Sequence, residues 1–339
     1  MQTPPSHIRI AVDAMGGDFA PGNIVAGSVD ALRRDPGGFE LILVGPVDRL
    51  KEELARANAP DIPLTIAHAS EVITMEDGAT AALKQKKNSS IAVGLNLQKE
   101  GKADAFVSAG HTGAVMSAST LILGRIAGVS RPTIGAFFPS RTGVCLLVDA
   151  GANVDCKPRH LMEFGIMGSI YTSAMFGVAN PAVGLLNVGE EETKGNEVSL
   201  GAHALLKGAP VHFIGNVEGR DILNGKVHVV VCDGFTGNIL LKFGESIPSF
   251  FKDRVSAFAG SSPLRKLMLL PALGTLRGAM KSMDYEEYGG VPLLGVKGVS
   301  IIGHGKSTPK AIMNMIIKAK EMAQKKINDR IEQAMAGVQ

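Results

Sequence analysis

Residues Val229–Lys242 read VVVCDGFTGNILLK. Three β-branched residues run into Asp233-Gly234, then Phe235-Thr236-Gly237-Asn238, then an apolar run of helical character. A short β-branched run is strand-forming, and Asp-Gly is ordinary turn chemistry. Asn238 is poor inside a helix but good near its start. The stretch therefore reads as a strand, a tight loop and a helix N-terminus. Such a junction can also present backbone N–H groups and the positive end of a helix dipole to an anion. A plain turn with a helix cap and an anion-binding loop are the two readings open here.

The same unit recurs along the chain. Ile8–Ala14, Glu40–Gly45, Pro63–Ala69 and Asp104–Gly110 read as buried strands, with Val47–Asn58 and Ala79–Lys99 as helices between them. This alternation predicts an α/β fold, with a parallel sheet between two helical layers. PTIGAFFPS and GVCLLVDAGA, separated by Arg141-Thr142, predict an antiparallel hairpin added to the sheet. AVGLLNVG, VHFIGNVEG, KVHVVVCDG and VSIIGHG resume the strand pattern. A final helix is expected from Pro309 to about Ala334, capped by Ser307 or Thr308, with Ile312, Ile316, Ala319, Ala323, Ile327 and Ile331 on one face.

Composition narrows the function classes. The chain has 339 residues, 45% hydrophobic, with 41 Gly and no Trp, enough for one large domain or two lobes. A net charge of +3 gives no electrostatic case for nucleic-acid binding. Cys145, Cys156 and Cys232 have neither disulfide-framework nor zinc spacing, which suits a reducing cytoplasm. No signal-like start and no uncharged apolar run of roughly 18 residues is found, so a soluble protein is expected.

Five glycine-containing loops follow strands: Asp13–Asp18 with Gly16 and Gly17, Ser108–Ala114, Asn187–Glu197, Asp233–Asn238 and Gly303–Thr308. Ligand clefts in α/β sheets lie at such strand ends. Known nucleotide motifs fail. Gly305-Lys306-Ser307 would need a glycine at Ser300 for a Walker loop, and no GxGxxG follows the first strand. Neither GxSxG nor HExxH occurs. Lys194, after three glutamates, is either a solvated lysine or an oxyanion ligand beside glutamates that cap the next helix. His111 and His304 are either hydrogen-bonded loop residues or acid–base groups. Cys156 is expected to be an inert, buried thiol. Residues 261–283 differ from the rest: Leu267, Met268, Leu269, Leu270 and Leu273 sit among Arg265, Lys266, Arg277 and Lys281, with no acidic residue. That composition suits either a subunit interface or a hairpin dipping into anionic lipid.

AVDAMGGD, ANVDCKP, LLNVGEEETKGNE, NVEGRD and DGFTGN, in that order, resemble the acyl-acyl-carrier-protein:phosphate acyltransferases of bacterial phospholipid synthesis. The resemblance runs from about Ile8 to the last helix. It implies a two-lobed, three-layer α/β/α fold similar to the isocitrate/isopropylmalate dehydrogenases and phosphotransacetylases. The lobes would be about 1–135 with 285–339, and about 136–284. It implies transfer of a long acyl chain from acyl-acyl-carrier protein to inorganic phosphate, without cofactor or metal. The acyl phosphate would serve a membrane acyltransferase acting on glycerol 3-phosphate. A homodimer, cytoplasmic and peripherally bound to the inner face of the cell membrane, is also implied. Lys194 and Asn238 fall on cleft positions and take the catalytic roles. Gly16, Gly17, Gly110, His111, Thr112, Gly113, Asn187, Asp233, Gly234, Phe235, Thr236, Gly237 and His304 form the expected phosphate and substrate set. The family's usual loop has Asn at His111 and HGSS where this chain has HGKS, which leaves His111 and Lys306 without an assigned role.

Three rivals are distinguishable. An isocitrate-type dehydrogenase would need a metal-binding carboxylate cluster and a nucleotide loop. A phosphotransacetylase would use short acyl-CoA. A non-catalytic membrane scaffold would tolerate Lys194→Ala.

Overall fold

The computed structural model describes residues 7–59, 62–262 and 285–338, with Arg265, Gly274, Thr275 and Gly278 from the segment between. Among the described residues eleven strands join in one sheet, in the spatial order β3-β2-β1-β4-β11-β10-β5-β6-β9-β7-β8. They are β1 (Arg9–Asp13), β2 (Glu40–Gly45), β3 (Leu64–His68), β4 (Ala105–Ser108), β5 (Thr133–Ser140), β6 (Gly143–Val148), β7 (Ala182–Leu186), β8 (His212–Val217), β9 (Val229–Val231), β10 (Val291–Leu294) and β11 (Val299–Ile302).

Strands β3, β2, β1, β4 and β11 are mutually parallel, as are β6, β9, β7 and β8. Between the two sets, β11/β10, β10/β5 and β5/β6 are antiparallel. Three successive reversals make the two parallel sets run in opposite senses. The expected wholly parallel core with an added hairpin is thus a mixed sheet. The hairpin itself is present, with Arg141-Thr142 as its two-residue turn, but it lies at the centre of the sheet. β10 is the strand the sequence pattern does not reveal. It has four residues beside Gly289, Gly290 and Gly295, and it joins the two sets.

Helices cover both faces: α1 (Gly22–Arg34), α2 (Val47–Arg56), α3 (Ala79–Gln85), α4 (Ser90–Lys99), α5 (Thr112–Ala118), α6 (Pro158–Phe176), α7 (Glu197–Gly208), α8 (Asp221–Asn224), α9 (Gly234–Gly260), α10 (Pro309–Gln324) and α11 (Ile327–Ala336). Two expected helices are each divided. Ala79–Lys99 breaks before Ser89, whose hydroxyl accepts the Ala92 N–H and starts α4. The last helix breaks at Lys326, which takes the left-handed conformation at φ 50°. Its apolar face survives the break, because Ile312, Ile316, Ala319, Ile327 and Ile331 are all buried. Thr308 caps α10, its hydroxyl accepting the Ala311 N–H. β9 lies wholly inside, and each of its three valines contributes about 2 kcal/mol by leaving water.

Candidate active site

Two strand ends carry buried carboxylates. At the end of β1, Asp13 is 1% exposed. The Ser108 hydroxyl at the end of β4 donates to Asp13 Oδ2 at 2.6 Å, and the Met15 N–H donates to Oδ1 at 3.1 Å. The same Ser108 Oγ accepts the Gly110 N–H at 3.0 Å. This chain of bonds fixes the loop that begins at Gly110. A side chain on Gly16 would place Cβ 2.5 Å from Asp13 Oδ2, so only glycine lets the two loops close on the carboxylate. Burial pushes the Asp13 carboxyl above its ordinary range, against the pull of its hydrogen bonds.

At the end of β6, Asp149 is fully buried. Its Oδ1 accepts the Ile134 and Ala152 N–H groups at 3.0 and 3.2 Å. Its Oδ2 accepts the Asn153 backbone N–H and carboxamide at 2.6 and 2.9 Å. The start of α9 presses on this loop. A Cβ on Gly237 would stand 1.8 Å from the Asp149 carbonyl oxygen, and one on Gly234 would stand 2.8 Å from Asp149 Oδ2. The two glycines of DGFTGN thus allow a helix to rest directly on a strand end. The Gly234, Thr236 and Gly237 amides are already engaged. Gly234 N–H donates to the Asn153 carbonyl at 2.7 Å, and Asp233, the N-cap, accepts the Thr236 N–H at 2.8 Å and its hydroxyl at 2.9 Å.

Between these clusters runs a cavity of about 1160 Å³. Asp18, Gly110, Thr112, Asn238 and the Gly303-His304-Gly305 loop contribute its polar lining. Asp18 N–H donates to the Gly305 carbonyl at 2.7 Å, which holds two of these loops together. Phe137, Phe138, Leu223, Leu241, Phe243 and Pro248 line much of the rest. Asn238 faces Gly151, where a Cβ would stand 3.4 Å from its carboxamide.

A second hollow, of about 1030 Å³, is lined by Asn187, Asn196, Asp233, Phe235 and Thr236 among others. It shares Gly219 and Leu240 with the first. The structure therefore divides the expected site residues. Gly110, Thr112, Asn238 and His304 line the larger cavity, with Gly16 and Gly17 in the loop beneath Asp13. Asn187, Asp233, Phe235 and Thr236 line the second hollow. Lys194 is exposed and lines neither, and its carbonyl accepts the Asn187 carboxamide at 3.0 Å. The helix after it is capped by Asn196, whose Oδ1 accepts the Ser199 N–H. The expected glutamate caps are instead turned to lysines: Glu192 to Lys207 and Glu190 to Lys226.

His111 is the N-cap of α5, its Nδ1 accepting the Ala114 N–H at 3.3 Å. Asn could supply the same acceptor there. Gly113 follows in the first turn. His304 Nδ1 accepts the Lys306 N–H at 3.1 Å. Burial pushes the thiols of Cys145 and Cys156 up to about 12 and about 11, and that of Cys232 well above its ordinary value. All three are therefore protonated near neutral pH and unsuited to nucleophilic attack. Leu267, Met268, Leu269, Leu270 and Leu273 lie outside the described residues. Among the described residues no helix is long and apolar enough to cross a membrane.

Sequence reading missed the two aspartates. Their signal was present as a repeated triplet, Val12-Asp13-Ala14 and Val148-Asp149-Ala150, each ending an apolar strand before a glycine loop. A charged residue inside a buried run marks a bonded carboxylate. It also missed the aromatic wall, because the residues that share the cavity with Phe137 and Phe138, such as Leu241 and Phe243, are distant in sequence.

A family model described as "Fatty acid synthesis protein" matches residues 8–330. A phosphate acyltransferase from Heliobacterium modesticaldum is 50% identical over 331 residues, covering 97% of this chain and 98% of that one. One from Moorella thermoacetica is 51% identical over 312 residues, covering 91% and 90%. Among solved structures, a phosphotransacetylase from Streptococcus pyogenes superposes with a TM-score of 0.63 at 17% identity, covering 94% of each chain. A 4-hydroxythreonine-4-phosphate dehydrogenase from Burkholderia phymatum gives 0.52 at 13% identity, covering 94% of this chain and 98% of that one. Those two likenesses establish the mixed α/β fold. Identity near one half over nearly full length goes further: the chain belongs to the fatty acid synthesis protein family and, within it, to the phosphate acyltransferases, which are transferase enzymes.

Proposed function

We propose that this enzyme moves a long-chain fatty acyl group from acyl-carrier protein to inorganic phosphate, forming acyl phosphate for phospholipid synthesis. The observation that carries this reading is the larger cavity: polar loops and Asn238 contribute one part of its lining, and aromatic and aliphatic side chains the rest. Phosphate is already an anionic nucleophile near neutral pH. One of its oxygens attacks the thioester carbonyl carbon, the carbonyl oxygen takes up negative charge, and the carbon–sulfur bond then breaks. The carrier leaves as a thiolate that takes a proton from solvent. The Asn238 carboxamide N–H donates to the developing oxyanion, a contact typically worth about 3 kcal/mol. In this reading Gly110, Thr112 and His304, which line the cavity, hold and desolvate the phosphate. Lys194, beside the second hollow, assists through charge at longer range.

In this reading the molecule has two lobes, about 1–135 with 285–339 and about 136–284, that share one sheet. It works as a homodimer, cytoplasmic and peripheral at the inner face of the membrane, and passes acyl phosphate to a membrane glycerol-3-phosphate acyltransferase. The exposed Phe250, Phe251 and Phe258 of α9, which line neither hollow, support the homodimer, because exposed aromatics are commonly covered by a partner. Light scattering at several concentrations checks it.

The decisive measurement is phosphate-dependent release of carrier-protein thiol from palmitoyl-carrier protein. Asn238→Ala is expected to lower the rate by about a hundredfold. Lys194→Ala, exposed and outside both hollows, is expected to cost about tenfold. Activity on acetyl-CoA but not on palmitoyl-carrier protein would favour the phosphotransacetylase reading. No phosphate-dependent release from either would favour a scaffold.

A further inference from the structure

We infer that Gly244 and Phe138 together gauge the acyl chain that the cavity accepts, an inference that rests on the acyl-transfer reading above. Gly244 lies inside α9, where glycine is the poorest residue after proline. Its presence there needs a packing reason, and the structure gives one. A Cβ at 244 would stand 2.5 Å from Phe138 Cε1 and 3.3 Å from Cζ. Both residues line the larger cavity.

Phe138 has little other room. Its strand pairs it with Cys145 of β6, and its ring packs against a cluster that includes the fully buried Leu147 and Val230. Close-packed interiors do not yield to a displaced ring. The open side is the cavity. A side chain at 244 would push the ring into it and narrow it there. Gly244 lies six residues beyond Asn238, about 9 Å further along α9. A short acyl chain held at Asn238 ends before that point, whereas a long one must pass it. The missing Cβ at 244 and the ring at 138 thus act as one device selecting for chain length.

The test compares kcat/KM for hexadecanoyl- and hexanoyl-carrier protein. In Gly244→Ala the ratio of long to short is expected to fall at least about tenfold, since each methylene excluded from an apolar pocket counts. Adding Phe138→Leu to that variant is expected to return the ratio towards wild type, which a general loss of stability would not do. Phe138→Leu alone is expected to raise it, and decides the matter if Gly244→Ala does not fold. An unchanged ratio in the single variants overturns the gauge while leaving acyl transfer standing. If wild-type enzyme releases no thiol from either carrier substrate, the acyl-transfer reading itself fails, and the gauge with it.

Discussion

Asp13 and Asp149 occupy matching places, each ending a strand inside a Val-Asp-Ala triplet, yet they are held differently. Asp149 is saturated by four N–H donors, three of them backbone amides from β5 and its own loop. Asp13 takes its closest bonds from the Ser108 hydroxyl and the Met15 amide, with Ser90 and the Gly16 amide adding to them, and the Ser108 hydroxyl passes the link on to Gly110. The first arrangement is a clamp that shapes one loop and seats α9 against it. The second is a relay that positions a neighbouring loop of the cavity. A carboxylate bound by amides resists change, because amide donors cannot reverse. A hydroxyl can rotate, so the relay is the softer of the two.

The clamp should break hardest. Gly237→Ala would drive a methyl group into the Asp149 carbonyl oxygen, and a loss of about 3 kcal/mol or more is expected in urea unfolding. Asp149→Ala leaves three backbone amides, one buried and two part-buried, without acceptors and should cost about 3 kcal/mol by the same measurement. Asp13→Ala, which frees hydroxyls that can rotate away, should cost about 2 kcal/mol and also lower kcat through the Gly110 loop. An equal loss at both aspartates would erase the distinction drawn between them.

The pH dependence of stability bears on both aspartates, because burial raises the Asp149 carboxyl as well as that of Asp13. Burial raises the folded-state carboxyl of Asp13 above its unfolded value of 3.8. The neutral form is therefore the better accommodated, and this group's contribution is fully present below about pH 4 and is lost as pH rises through the folded value. Asp13→Asn is permanently neutral. Its stability relative to wild type should improve between pH 4 and pH 8, read from urea midpoints at both. A gap that moves the other way would mean that Asp13 is better held ionised.

The smallest effect is expected at α5. His111→Ala removes the acceptor for the Ala114 N–H and should cost about 1 kcal/mol, whereas His111→Asn keeps an acceptor and should cost less than half of that in thermal unfolding.

Several features were legible because neighbouring residues determine them. The β9 valines, the Asp233-Gly234 turn, the Arg141-Thr142 hairpin turn and the Thr308-Pro309 helix start are local choices of backbone conformation. The face from Ile312 to Ile331 could be read across the break at Lys326, since helical periodicity resumes within two residues. The ordered loop motifs also carried the family.

Tertiary structure decided the rest. Four-residue β10 has too little pattern of its own to announce a strand, and its place between β11 and β5 comes from pairings remote in sequence. Its two antiparallel pairings leave β5 running with the first set, and the β5/β6 hairpin then turns β6, β9, β7 and β8 the other way. The glycines of DGFTGN read equally well as an anion loop or a turn. Only the approach of the Asp149–Asn153 loop, about eighty residues away, shows that their missing side chains admit a strand end and that the Gly234 N–H is engaged. Lys194 and Asn238 are likewise nominated together by sequence, yet the fold puts Asn238 on the larger cavity and leaves Lys194 exposed and on neither hollow. Burial and contact are properties of the assembled sheet, so a sequence can nominate such residues but the packing assigns their neighbours.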